Sequence, residues 1–209
     1  MTLPEGVAYR EIDGERRLAT RGEPVYGEPT EGEWRAWVAA RSKVGAMLDR
    51  EMDVGLSPGG TVLYLGAAAG TTASHVADVA DVVYAVEFAP RPTRELLGVA
   101  GDRANLIPLL KDARDPGTYA HVVESGIDLL VQDVATRGQA EVALANRRFL
   151  ADDGRLALSI KARSEDVTAA PEAVFGDVLD RLREGYEILD RERLDPLHEA
   201  HLAVVAAPR

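Results

Sequence analysis

Four places in this chain bring together residue types that could hold a ligand and act on it. The first is LGAAAGTT at 65–72. There Gly66 and Gly70 permit a turn whose backbone can approach a ligand closely, and Thr71, Thr72 and Ser74 supply N-cap chemistry to a following helix. The other three are acids: Glu87, followed by Phe88; Asp112, within Lys111-Asp112-Ala113-Arg114; and Asp133, within Gln132-Asp133-Val134-Ala135. An acid downstream of such a turn is suited to gripping ribose hydroxyls. A carboxylate beside Ala113 could accept from an adenine amino group while the small residue leaves room for the ring, and the acid at 133 would stand at the centre of the site. Each has a plainer use as well. Acids at strand ends are common helix N-caps, and Gly-x-x-x-Gly after a strand also serves tight packing without a ligand. Turn and acids together are harder to explain by capping alone.

The elements that would position these residues are legible in the hydrophobic pattern. Residues 1–35 are rich in Gly, Pro, Glu and Arg with short β-prone pieces, which predicts a small, mostly antiparallel β-appendage. In RSKVGAMLDREM, Val44, Met47, Leu48 and Met52 recur at helical spacing. From residue 57 strands and helices alternate, the mark of a parallel α/β sheet with right-handed crossovers. The strands are expected at 61–65, 82–87, 105–109, 127–132 and 154–161. Helices are expected near 72–80, 90–101, 115–125 and 138–150. A last helix, 171–184, precedes two closing strands, 186–193 and 200–206, whose close spacing requires an antiparallel return. Two domains are expected, a β-rich 1–36 and an α/β 37–209. In such a sheet the ligand lies at the carboxyl ends of the strands, where all four candidate places fall.

Composition limits the function. The chain has 209 residues, 35 acids against 24 bases and a formal net charge of -11. Only three of the bases are lysines, Lys43, Lys111 and Lys161. An acidic surface argues against direct contact with nucleic acid, which normally rests on clustered Lys and Arg. It is also how proteins of salt-loving cells stay solvated where molar salt shrinks the Debye length to about 3 Å. Where arginine serves on the surface, a retained lysine is a candidate for a specific task. The absence of cysteine excludes disulfides and thiolate metal sites. There is neither a long apolar run nor a basic-then-apolar leader, so a cytoplasmic protein with no membrane span is expected. No His/Asp spacing suggests a metal. His75 and His121 read as helix-surface residues and His198 as a turn residue. Trp34 and Trp37 suit a core or a protein interface better than base stacking.

A dinucleotide oxidoreductase would share the turn and the first acid. It would also need Gly-x-Gly-x-x-Gly, whereas Ala67 and Ala68 stand where the middle glycine belongs and would obstruct a pyrophosphate. S-adenosylmethionine, with adenosine and a charged amino acid but no phosphate, fits better. The strings VYGE (25–28), EWRAWVAARSK (33–43), VLYLGAAAGTTASHVAD (62–78), VYAVEFAPR (83–91), NLIPLLKDAR (105–114), QDVA (132–135), SIKARSEDVT (159–168) and EAHLAVV (199–205) then make a specific resemblance. The chain resembles the archaeal fibrillarins, methyltransferases of box C/D guide ribonucleoproteins, over nearly its whole length, and within that family it looks like a halophile's protein. It departs from the pattern at Thr136, where glutamine is usual and for which Gln139 could substitute, and in lacking a lysine-rich surface.

The resemblance implies a Rossmann-like class I S-adenosylmethionine-dependent methyltransferase fold, with a seven-stranded, mostly parallel sheet, an antiparallel closing strand and a small N-terminal β appendage. By the same analogy the cofactor would be held by Gly66, Thr71, Thr72, Glu87, Phe88, Asp112, Ala113, Asp133, Val134, Ala135 and Thr136. The family's Lys-Asp-Lys-His tetrad falls on Lys43, Asp133, Lys161 and His201, which takes in two of the three lysines. The implied activity is 2′-O-methylation of ribose in rRNA or tRNA. The implied partners are a box C/D guide RNA with its target RNA, a Nop-family scaffold protein and, indirectly, a kink-turn-binding ribosomal-protein relative. Lys161 is placed to act as base or to orient the hydroxyl electrostatically, and His201 to orient Asp133 or to contact RNA. Two other readings remain: a methyltransferase acting on a protein or small molecule, and a non-catalytic scaffold that keeps the fold.

Overall fold

A computed structural model of the chain describes residues 3–209. β1 (Val7–Ile12) and β2 (Glu15–Arg21) form a hairpin in which Ile12 pairs with Glu15. The two residues between them, Asp13 and Gly14, both have positive φ, as a two-residue turn matched to strand twist requires. β3 (Thr30–Glu31) and β4 (Trp34–Ala36) complete an antiparallel sheet of order β1-β2-β4-β3.

α1 (Lys43–Asp49) leads into the larger sheet, through β5 (Thr61–Leu65), α2 (Thr71–Ala77), β6 (Val82–Glu87), α3 (Pro90–Gly101), β7 (Leu106–Leu110) and β8 (Ile127–Gln132). α4 (Gln139–Asn146), β9 (Leu150–Lys161), α5 (Ala162–Glu165), α6 (Pro171–Leu182), β10 (Tyr186–Arg193) and β11 (His201–Pro208) follow. The seven strands lie in the order β10-β11-β9-β8-β5-β6-β7. β5 pairs in parallel with both β6 and β8, so strand order reverses at β5, where an open sheet leaves a crevice. Along β5, Val62 and Tyr64 enter one apolar layer and Leu63 and Leu65 the other, as in a strand buried on both faces. α1, α2 and α3 cover the first face; α4 and α6 cover the second.

The antiparallel closing strand forms as expected: β11, last in the chain, lies between β9 and β10. Burial sets its place: β11 is apolar and buried along most of its length, whereas β10 is mostly exposed and takes the edge. Two features differ from the sequence reading. No helix forms over 115–125, where the chain makes one 3-10 turn at Pro116–Thr118. Pro116 and Gly117 disfavour continuation, and the buried Tyr119 is held by hydrogen bonding to the Asn146 side chain. The expected helix 138–150 ends at Asn146, whose amide donates to the carbonyl of Ala113 at 2.8 Å.

The small sheet packs on α2 through a buried polar hub. Arg35, with no exposed surface, meets Glu28 at 3.1 Å, Asp78 at 2.7 Å and the Ser74 hydroxyl at 3.1 Å. His75 is therefore not the helix-surface residue expected. It is 1% exposed, stacks on Trp37 at 4.9 Å and shares a 2.7 Å hydrogen bond with Thr20. The small sheet covers the face of α2 that its sequence suggests is solvated. Trp37 is core, while Trp34 is half-buried under Arg10 and Arg21. His121 is exposed, in a turn, and His198 lies in a turn with Nε2 2.8 Å from the Ala39 carbonyl.

Candidate active site

The glycine turn is held by the strands on either side of it. Gly66 and Ala67 donate to the carbonyl of Val86 at 2.9 and 3.1 Å, and Asp133 donates to that of Leu65 at 2.9 Å. Gly66 has φ +82, and a Cβ there would stand 2.8 Å from the Asp133 carbonyl oxygen, so close packing of two backbones requires glycine. Ala68 also has positive φ; its N–H donates at 3.0 Å to Glu87, whose other oxygen accepts from Ala89 at 2.8 Å. Two backbone donors thus fix the Glu87 carboxylate at the end of β6. The Tyr26 hydroxyl donates to the carbonyl of Ala69, tying the VYGE stretch to this turn.

A cavity of about 490 Å³ opens at the carboxyl ends of β5, β6, β7 and β8. Of the expected cofactor residues, Gly66, Glu87, Phe88, Asp112, Ala113, Asp133, Val134, Ala135 and Thr136 line it. Phe88 is 69% exposed, an aromatic face left without a protein partner over much of its area. Asp112 is held by Arg114, whose Nε lies 3.0 Å from each carboxylate oxygen, and these bonds keep the carboxyl below its usual range. Thr71 and Thr72 are not among the lining residues. The buried Thr72 hydroxyl instead pairs with that of Ser42 at 3.1 Å. Ser42 caps α1, accepting from Gly45 at 3.0 Å and from the Trp37 indole at 2.8 Å. Thr72 thus helps to set the helix end that carries Lys43.

Ala68, Val86, Pro92, Lys111, Arg114 and Val142 also line the cavity and were not singled out as cofactor contacts. Lys111 had a signal: it is the third lysine of a lysine-poor chain. The apolar residues had none, because a strand end and a helix start look alike whether or not a cavity lies between them.

At the Asp133 end of the cavity two lysines meet the acid. Lys161 Nζ is 2.7 Å from Asp133 Oδ1 and donates to the Asp133 main-chain carbonyl at 2.7 Å; Lys43 Nζ is 3.4 Å from Oδ2. Oδ1 is buried against the Lys161 ammonium. His201 stands opposite Lys161 in the β9–β11 register. Its Nδ1 is 2.7 Å from the Glu199 carbonyl, which can only accept, so the neutral ring carries its proton on Nδ1 and leaves Nε2 as acceptor. Burial first, and then the Lys43 and Lys161 cations, hold His201 below the usual histidine range against the opposing Glu199 carbonyl and Asp133.

Gln139 does not take the place of the missing glutamine at 136. It is fully buried, with its carboxamide on the Lys161 backbone. Among the described residues no group of three or more His, Asp or Glu could hold a metal ion, and no helix is long and apolar enough to cross a membrane.

A model of the fibrillarin family matches residues 5–209. A fibrillarin-like rRNA/tRNA 2′-O-methyltransferase of Halorubrum lacusprofundi is 68% identical over 207 residues, covering 99% of this chain and 98% of that protein. Among solved structures, Aeropyrum pernix fibrillarin with natively bound S-adenosyl-L-methionine superposes with a TM-score of 0.88 at 41% identity, over 99% of this chain and 96% of that one. A fibrillarin from a fibrillarin/Nop5p complex superposes with a TM-score of 0.91 at 36% identity, over the whole of both chains.

Proposed function

The chain belongs to the fibrillarin family, and from that premise we propose that it methylates ribose 2′-hydroxyls of rRNA and tRNA with S-adenosylmethionine, as the catalytic subunit of a ribonucleoprotein. The observation that carries the reading is the Lys43–Asp133–Lys161 cluster at one end of a cavity lined elsewhere by Glu87, Phe88, Asp112 and Ala113. A relative from a halophilic archaeon accounts for the acidic, lysine-poor composition.

The cavity suits the cofactor in its chemistry. Glu87 offers carboxylate oxygens for ribose hydroxyls, the exposed Phe88 a stacking face, Asp112 and Ala113 an acceptor and room beside adenine, and Val134, Ala135 and Thr136 the remaining wall. The backbone turn at Gly66 has no phosphate to accommodate. When bound, S-adenosylmethionine supplies a sulfonium methyl as the electrophile.

The protein's own tasks are alignment and handling of a proton. An in-line displacement requires the hydroxyl oxygen to be fixed on the methyl's far side, and alignment of this kind is worth several kcal/mol of the barrier. Lys161 turns its ammonium to the Asp133 carbonyl and to Asp133 Oδ1, which leaves its third N–H for the ribose oxygen. With Lys161 orienting the hydroxyl, the proton released as the O–C bond forms leaves to water, and Asp133 holds the two ammonium groups in place. Lys43, on a capped helix end, holds the carboxylate from its other side. His201, with Nε2 left as an acceptor, contacts the RNA.

We further assign to this chain a Nop-family scaffold partner, a box C/D guide RNA that pairs with the target, and a kink-turn-binding ribosomal-protein relative reached through that RNA. Base pairing and partners would deliver the substrate to an acidic protein. Residues 1–36 and 37–209 form its two domains, and it works in the cytoplasm. The test is transfer of tritiated methyl from S-adenosylmethionine in molar salt, with guide-paired RNA, unpaired RNA and protein offered as acceptors. Label on guide-paired RNA alone supports the reading; label on the protein acceptor overturns it.

A further inference from the structure

Gln139, the first residue of α4, turns both ends of its carboxamide onto the backbone of one residue. Its side-chain Oε1 accepts from the Lys161 N–H at 2.8 Å and its Nε2 donates to the Lys161 carbonyl at 3.1 Å. These are the two bonds a neighbouring strand would make. β8 cannot make them, because it ends at Gln132, which pairs with Leu158. Beyond that point β9 has β11 on one side, with His201 opposite Lys161, and on the other the carboxamide of Gln139. The clasp is reciprocal. Glu165, in the single turn α5 directly after Lys161, sends its carboxylate back to the N–H groups of Gly138 and Gln139 at 2.9 and 2.5 Å. The carbonyl of Gln139 accepts from the Gln132 side chain at 2.7 Å.

The segment spanned by these bonds, between Gln132 and Gln139, carries Asp133, Val134, Ala135 and Thr136. The clasp thus sets the cofactor-facing loop and the backbone of Lys161 in one frame. We infer that Gln139, with Glu165 as its counterpart, is a positioning residue for methyl transfer that fixes where the Lys161 ammonium stands relative to Asp133. This rests on the reading that Lys161 acts in the transfer. The carboxamide extends the sheet at the strand position that carries the lysine.

The experiment compares wild type, Gln139→Leu, Gln139→Glu and Lys161→Ala in the reconstituted ribonucleoprotein. It measures kcat on guide-paired RNA and the dissociation constant for S-adenosylmethionine by calorimetry. Leucine removes both bonds to Lys161 and should lower kcat by about tenfold to a hundredfold, with cofactor affinity kept within about threefold. Glutamate keeps the acceptor and, when ionised, loses the donor; protonation restores a donor to the Lys161 carbonyl. Its deficit relative to wild type should therefore narrow as pH falls from about 8 to about 5.5, which a purely structural defect would not do. If Gln139→Leu does not fold, Gln139→Glu carries the test alone. Wild-type kcat in both variants, a loss of cofactor affinity parallel to the loss of kcat, or a deficit of Gln139→Glu that is independent of pH would overturn the inference. Retained activity of Lys161→Ala would overturn the reading beneath it, whatever the Gln139 variants do.

Discussion

Replacing Arg35 by methionine should cost more than any exposed ion pair in the protein. The guanidinium has no exposed surface and stands between the Glu28 and Asp78 side chains, themselves 4% and 6% exposed. Removing one partner of a buried pair costs about 3–5 kcal/mol, because a charge is left without compensation. Two carboxylates lose their common cation here, but neither is wholly abandoned. Asp78 keeps the Thr20 hydroxyl at 2.7 Å and Arg103 at 3.6 Å, and Glu28 keeps the N–H groups of Val25 and Tyr26. The lower end, about 3 kcal/mol, is therefore expected. At about 2–4 °C per kcal/mol for a chain of this size, the thermal midpoint should fall by about 6–12 °C. Because the hub is dry, the loss should persist in molar salt, whereas an exposed pair such as Arg183–Asp180 contributes at most about 1 kcal/mol and is screened. The assay is circular dichroism melting at low and molar salt, with Arg35→Met/Asp78→Asn alongside, which should recover part of the loss. A midpoint within about 2 °C of wild type in molar salt would refute the reasoning.

Gly66→Ala should weaken cofactor binding and stability together, by about 1–3 kcal/mol, since its Cβ meets the Asp133 carbonyl at a positive φ; calorimetry and melting check both. Glu87→Ala removes a carboxylate fixed by two backbone donors and should raise the dissociation constant for S-adenosylmethionine by about tenfold to a hundredfold, read by calorimetry. Burial, with Arg35 and Arg103 adding to it, holds His75 well below its ordinary value of 6.5. A histidine depressed on folding stabilises fully above its unfolded value, and that stability is lost as pH falls, by at most about 1.4 kcal/mol per unit. The wild-type midpoint should thus drop between about pH 7.5 and 5.5, and that of His75→Asn should drop less; equal slopes would contradict the burial argument.

What could be read from the sequence was local. The turn at 65–72 and the acids at 87, 112 and 133 were visible because each follows a short apolar run, and a parallel sheet brings strand ends together whatever the order of its strands. The lysines at 43 and 161 stood out by scarcity, although their meeting on Asp133 depends on a helix cap at Ser42 and a strand register that no local pattern encodes. The misreadings arose where a distant segment covers or replaces an element. His75 sits on a helix whose outer face is closed by residues 20–42. Residues 115–125 have Tyr119 and Val123 one helical turn apart, yet Asn146 holds the tyrosine in a turn. Gln139 looked like a spare cofactor contact because a carboxamide completing a sheet has no sequence signature.

The most direct test of the account is site-resolved mapping of 2′-O-methyl groups on guide-paired RNA. It would use the protein reconstituted with scaffold and guide in molar salt, as wild type and as Lys161→Ala. Wild type should place one methyl on the ribose selected by the guide, and Lys161→Ala should place none while binding S-adenosylmethionine as wild type does. Methylation at undiminished rate by Lys161→Ala, or a wild-type product methylated anywhere but the ribose oxygen, would contradict it.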